Sequence, residues 1–159
     1  MSEKAGDAAR DVKADECMNV CPEFCIPILD HLQFLNHDYG FKGPYFKHVS
    51  RECWVTFDKE GVEIKIGYEP LSLPWGSVTK TNQKAISLHE LMRQYAFHLE
   101  ERKYREYDEI SEKLFAKLAN PREADEYALS VKEKLDRATA QWVKDIAEFF
   151  RSHLIEILP

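Results

Sequence analysis

Apolar and polar positions alternate along residues 52–58 and again along residues 62–68. In the first run Cys53, Val55 and Phe57 alternate with Trp54 and Thr56. In the second Val62, Ile64, Ile66 and Tyr68 alternate with Glu63, Lys65 and Gly67. A period of two sends successive side chains to opposite faces of a strand, and β-branched and aromatic residues suit a half-buried pleated surface. Residues 58–61 have the composition of a short hairpin loop, with Gly61 free to take positive φ. The two runs therefore predict an antiparallel hairpin. A hairpin alone is marginal in water, so other elements must cover its apolar face.

Helical spacing supplies that cover. Phe24, Ile28, Leu32 and Leu35 recur at intervals of four, four and three, which predicts a helix between about residues 22 and 37. Pro22 suits its first turn, whereas Pro27 implies a kink or a start nearer Ile26. Gly40, Gly43 and Pro44 then stop the helix, and residues 45–49 form a short strand entering the sheet. Pro70, Pro74 and Gly76 interrupt the chain again before a short edge strand over residues 77–80. Ser87 and Glu90 have the spacing of a capping box, opening a helical segment with Leu88, Leu91, Met92, Tyr95 and Leu99 as its stripe. The stripe fades in the charge-dense residues 100–109, a solvated stretch of helix or a break between two helices. It resumes at Ile110, Leu114 and Leu118. Asn120, Pro121 and Glu123 predict a fresh helix start. Beyond it Ala124, Ala128, Val131, Leu135, Ala138, Trp142, Ile146, Phe149 and Ile157 continue at helical spacing. A helix of that length, ~50 Å, outruns a small domain, so it is expected to fold back against residues 87–118 as an antiparallel helical hairpin.

The predicted architecture is α+β: an N-terminal helix, a small antiparallel meander of three to four strands, and a long C-terminal helical hairpin. The helices are expected on the Val62, Ile64 and Ile66 face. Residues 1–16, Ala-rich and charged without an apolar period, read as a flexible tail, and residues 17–159 as one domain.

Composition narrows the function classes. The 159 residues carry 28 acidic and 22 basic side chains, a formal net charge of −6. That balance disfavours nonspecific binding to nucleic acid or to an anionic membrane and favours a basic or neutral partner. No apolar run approaches the ~20 residues of a membrane span, and the N-terminus lacks the apolar core of a secretory signal. A cytoplasmic protein with reduced thiols is expected.

Cys17, Cys21 and Cys25 recur every four residues, a spacing that would stack three thiols on one helix face, with Cys53 or His31 as a fourth ligand. It is not the two-residue clip of zinc sites, and Pro22 interrupts the helix that would align them; free cysteine also behaves as a small buried hydrophobe. Metal or redox chemistry at Cys17, Cys21, Cys25 and Cys53 is thus the alternative reading, and no cofactor is assigned. His89-Glu90 begins a zinc-protease pattern that Arg93 ends. Glu52, Asp58 and Glu63 flank the hairpin as solvated carboxylates rather than an acid–base pair. No phosphate-binding loop or nucleophile elbow is present in the sequence. The aromatics Tyr45, Trp54, Tyr68 and Trp75 cluster around the sheet and are the candidate partner-binding residues, since Trp and Tyr anchor many interfaces.

The run Leu32-Gln-Phe-Leu-Asn-His-Asp-Tyr-Gly-Phe41, followed by Cys53-Trp-Val-Thr-Phe57 and Val62-Glu-Ile-Lys-Ile66, resembles small bacterial α+β proteins of uncharacterised role. In these a helix ending in such a segment leads into a short antiparallel sheet. Some proteins of this style are similar to immunity proteins, which neutralise a cognate toxin by binding it. The resemblance covers about residues 28–69 and implies a binding role without naming functional residues. The expected function is a non-catalytic protein-interaction protein, immunity-type or adaptor, with a partner protein, no nucleic acid and no membrane. A homodimer through the long helices is its extension.

Overall fold

The computed structural model describes residues 15–97 and 101–159, with side chains described outside residues 101–104. The tail expected over residues 1–16 falls largely outside that range; within it, residues 15–20 form a helix, α1. α2 spans Pro22–His31, α3 Phe34–His37, and five strands follow: β1 Lys42–Val49, β2 Glu52–Lys59, β3 Val62–Tyr68, β4 Trp75–Lys80 and β5 Ile86–Ser87. The chain closes with α4 Leu88–Gln94, α5 Glu101–Ala116 and α6 Pro121–Ile157.

The strands form one antiparallel sheet in the order β1-β2-β3-β4-β5, each paired with its sequence neighbour. The meander thus has five strands rather than three or four. The fifth is two residues long, and its pairing of Ser77 with Ser87 and Val78 with Ile86 makes β4 only partly an edge. The β2–β3 hairpin turns at Glu60 and Gly61, where Gly61 has φ +84 and Lys59 pairs with Val62. Lys42 and Tyr45 break register with β2 around the cis Gly43–Pro44 bond.

Alternation sorts the sheet as expected. Val55 lies between Phe46 and Ile66, and Ile64 between Phe57 and Val78; all six side chains are buried. These pack in one core with Phe24, Ile28 and Leu32 from the N-terminal side, Leu88 and Leu91 from α4, and Trp142, Ile146, Phe149, Phe150 and Leu154 from α6. Helices therefore cover one face of the sheet. α2 begins at Pro22 and continues through Pro27, which is buried.

The caps read from the sequence form. Ser87 Oγ accepts from the Glu90 N–H at 3.1 Å, and Asn120 Oδ1 accepts from the Glu123 N–H at 3.4 Å with Pro121 in the first turn. The helical segment over residues 87–118 is not one arm. α4 ends at Gln94, Ala96 takes φ +50, and the Phe97 N–H donates to the Met92 carbonyl at 2.9 Å, which closes the helix end. Leu99 of the expected stripe lies outside the described residues. α6 is a single helix of 37 residues with two different burdens. Its first half packs Val131 and Leu135 against Tyr107 and Ile110 of α5, joined by a 2.7 Å Lys134–Glu106 ion pair. Its second half is core against α2 and the sheet.

Candidate functional site

The other face of the sheet carries no packed helix among the described residues. Register places Lys47, Trp54, Gly67 and Trp75 in one row across four strands, and Tyr45, Thr56, Lys65 and Ser77 in the next. The row is organised by what it lacks. A Cβ on Gly67 would lie 2.7 and 2.8 Å from the Trp54 ring and 2.8 Å from Trp75, so both indoles occupy the space above that glycine. The rings meet edge to face at 5.4 Å between centroids. Lys65 Nζ sits 4.9 Å from the Trp54 centroid, a cation–π distance, and Trp54 Nε1 donates to Glu52 Oε2 at 3.0 Å. Trp75 is 37% exposed, Trp54 and Tyr45 are half-buried, and Lys47 is exposed.

Of the four aromatics picked out by sequence, three share this face. Tyr68 does not: it pairs with Cys53 on the helix-covered face and is 3% exposed. It stacks on Phe24 at 5.1 Å and donates its hydroxyl to Glu23 Oε1 at 2.8 Å. Burial, reinforced by the nearby Glu23 carboxylate, pushes its phenol well above the ordinary tyrosine range. The parity of Val62, Ile64 and Ile66 already placed Tyr68 with the core, and that signal outweighs its aromatic character.

The Tyr68–Glu23 pair also belongs to a cleft of ≈ 450 Å³ between the start of α2, the end of β3 and α6, with Leu71, Leu129 and the 2.6 Å Lys132–Asp136 pair in its wall. No spacing signal marks it, because its lining comes from three separate elements.

The cysteines are gathered rather than scattered. Cys17, Cys21, Cys25 and Cys53 are all fully buried, and Cys21 and Cys53 form a disulfide with Cα atoms 6.8 Å apart. Reduced thiols were expected throughout, whereas the structure brings Cys21, just ahead of α2, against Cys53, which β2 parity turns toward the core. Cys17 and Cys25 are free thiols, and burial pushes both above the usual thiol range. Among the described residues no three Cys, His, Asp or Glu side chains converge as a metal-binding group.

The three carboxylates near the hairpin do not come together as one group. Asp58 and Glu63 are cross-strand neighbours, while Glu52 lies six residues along β2, ~20 Å away at strand rise, beside Trp54. Among the described residues no helix is long and apolar enough to cross a membrane. Comparison of the chain with protein-family models, with curated proteins and with solved structures found no match.

Proposed function

We propose that this chain is a protein-interaction module that binds a partner protein through the open face of its sheet, in the manner of an immunity or adaptor protein. One observation carries the reading: Trp54 and Trp75 stand together over Gly67 on a face that no described helix covers. Paired indoles on a rigid sheet offer large contact area at little cost in side-chain entropy, the usual character of an interface anchor. The net charge of −6 does not describe this patch, where Lys47 and Lys65 flank the rings. A partner surface that presents carboxylates around an apolar centre suits it. In the finer form of the reading, α5 and α6 act as a helical hairpin, and the exposed Phe115 on α5, Leu118 in the turn between them and Leu129 on α6 join two copies. A monomeric mass in sedimentation removes that extension.

The test is affinity purification from the native host with wild-type bait and a Trp54→Ala/Trp75→Ala bait side by side, followed by calorimetry on the recovered partner. Loss of two anchors should weaken binding at least ~30-fold, as for interface hot spots of 2 kcal/mol or more. Ile155→Ser, at an exposed position on α6, should leave affinity unchanged. A partner that binds the double variant as tightly as wild type would end the reading.

A second reading, a thiol-dependent redox role for Cys17, Cys21, Cys25 and Cys53, is favoured by a separate observation: the four sulfurs share one buried core, with Cys21 bonded to Cys53.

A further inference from the structure

One wall of the cleft between α2, β3 and α6 is a stripe of the long helix. Asp125, Leu129, Lys132 and Asp136 recur there at intervals of four, three and four, along about three turns of α6. The segment after β3 supplies Pro70 and Leu71 as a second, apolar wall. That segment is fastened in place: the Tyr107 hydroxyl of α5 donates to the Leu71 carbonyl at 3.0 Å, and Ser72 Oγ donates to the Glu69 carbonyl at 2.8 Å. Tyr68 brings a buried polar atom to the same space. It is 3% exposed, and its hydroxyl gives its proton to Glu23 Oε1 at 2.8 Å. A phenol oxygen that donates in this way still has lone pairs with which to accept.

The charges around the cleft do not balance. Three carboxylates line it, those of Glu23, Asp125 and Asp136, against one cation, Lys132. Lys132 is already taken by Asp136 at 2.6 Å. Among the described residues no cation pairs with Glu23 or Asp125. Glu23 is half-buried, in a cleft whose other walls include Leu71 and Leu135. A carboxylate held in such surroundings without a counter-ion gains from one that arrives.

We propose that this cleft binds a small organic cation: an amine whose ammonium lies between Glu23 and the Tyr68 oxygen, with its hydrocarbon body along Leu71, Leu129 and Leu135. The ammonium donates to the carboxylate and to the phenol oxygen, while Tyr68 keeps its own proton directed at Glu23. Asp125 is exposed and draws cations toward the opening. Lys132 stands in the same wall and opposes them. The cleft volume of ≈ 450 Å³ suits a small molecule. The inference rests neither on the partner-binding face nor on the thiol reading.

The experiment titrates the nitrogen-15-labelled full chain with hexylammonium, benzylammonium and butane-1,4-diammonium chlorides, following backbone amide shifts. Hexanol and sodium hexanoate are the neutral and anionic counterparts. At least one amine should give saturable shifts centred on residues 68–71 and 125–136, in the ~mM range of so small a ligand. Hexanol and hexanoate should bind ~10-fold more weakly or worse than hexylammonium, for want of a charged hydrogen bond. Glu23→Gln keeps an acceptor for the Tyr68 hydroxyl and removes only the charge; it should weaken amine binding ~10-fold. Lys132→Gln should tighten it about 3-fold. Glu60→Gln removes the same charge from the exposed hairpin turn and should change Kd less than ~2-fold. If the Glu23→Gln spectrum shows a disturbed fold, Asp125→Asn takes its place, with about 3-fold weakening expected and no weakening counting against the proposal. Absence of saturable shifts with all three amines overturns the inference. Hexanol binding as tightly as hexylammonium overturns it too, since the apolar walls alone would then suffice. Equal weakening by Glu23→Gln and Glu60→Gln would reduce the effect to diffuse attraction by an acidic chain and overturn the assigned site.

Discussion

The two faces of the sheet share one backbone and one register yet differ in almost every other respect. On the covered face Phe46, Val55, Phe57, Ile64, Ile66 and Val78 are buried under α2, α4 and α6. On the open face Trp54, Trp75, Tyr45, Lys47 and Lys65 surround a glycine. A strand residue and its neighbour thus sit in different surroundings: one is buried in the core, the next lies on the face that no described helix covers. If the proposed binding face is right, the contrast separates stability from recognition residue by residue along β2. Phe57→Ala empties a fully buried site and should cost about 3–5 kcal/mol, read as a lower midpoint in chemical denaturation. Trp54→Ala, on the adjacent face, should cost no more than about 2 kcal/mol. Equal costs at the two positions would make the open face a structural layer and erase the distinction.

Gly67 gives a sharper handle, because it acts on the open face without removing an anchor. Gly67→Val puts a branched side chain where both indoles now lie, with contacts below 3 Å from the first carbon onward. The rings must move apart, at about 1–3 kcal/mol for overpacking. Tryptophan fluorescence should change in intensity or wavelength while the far-ultraviolet circular dichroism stays the same. An unchanged emission spectrum would show that the indoles do not rest on this glycine.

The covered face has its own signature in alkali. Burial raises the phenols of Tyr68 and Tyr107 in the folded chain, while in the unfolded chain they ionise near the ordinary value of about 10. Below that value both states keep the proton and the groups contribute no pH dependence. Above it the unfolded state releases protons that the folded state retains, so stability falls as pH rises. Tyr68→Phe should flatten the alkaline limb of stability against pH, and an unchanged limb would sink this account.

Much of this contrast was legible in the sequence, and where it was not the reason is physical. Alternation in residues 52–68 fixed the hairpin, its covered face and the side on which Trp54 lies. The caps at Ser87 and Asn120 announced themselves, because a serine or asparagine three residues before a glutamate has a specific hydrogen bond to make. Tyr68 was misplaced by giving residue type more weight than parity. The Cys21–Cys53 contact joins residues 32 apart, and no local pattern reports a pairing of that range. The open face itself was undecidable from one chain, since alternation says that two faces differ without saying what covers each. The division of residues 87–118 was half legible: the charge-dense residues 100–109 allowed a break between two helices, but α4 ends earlier, at an alanine where glycine is the usual signal.

That alanine yields the smallest expected effect and bears on how the cover of the sheet is assembled. Ala96 sits at φ +50, beyond the end of α4, and is exposed. For an L-residue the left-handed region costs ~1–2 kcal/mol, because Cβ crowds the following carbonyl. Glycine removes the crowding but makes the unfolded chain more flexible, which returns ~0.5–1 kcal/mol of the gain. Ala96→Gly should therefore stabilise the fold by about 0.5 kcal/mol, ~1–2 °C in Tm for a domain of this size. The proposed binding through the open face should not change, since α4 lends Leu88, Leu91 and Met92 to the core on the other side. A loss of stability on this substitution would mean that residue 96 is helical in solution and that α4 runs on toward α5. The helical cover would then be one long arm rather than short pieces fitted to the sheet.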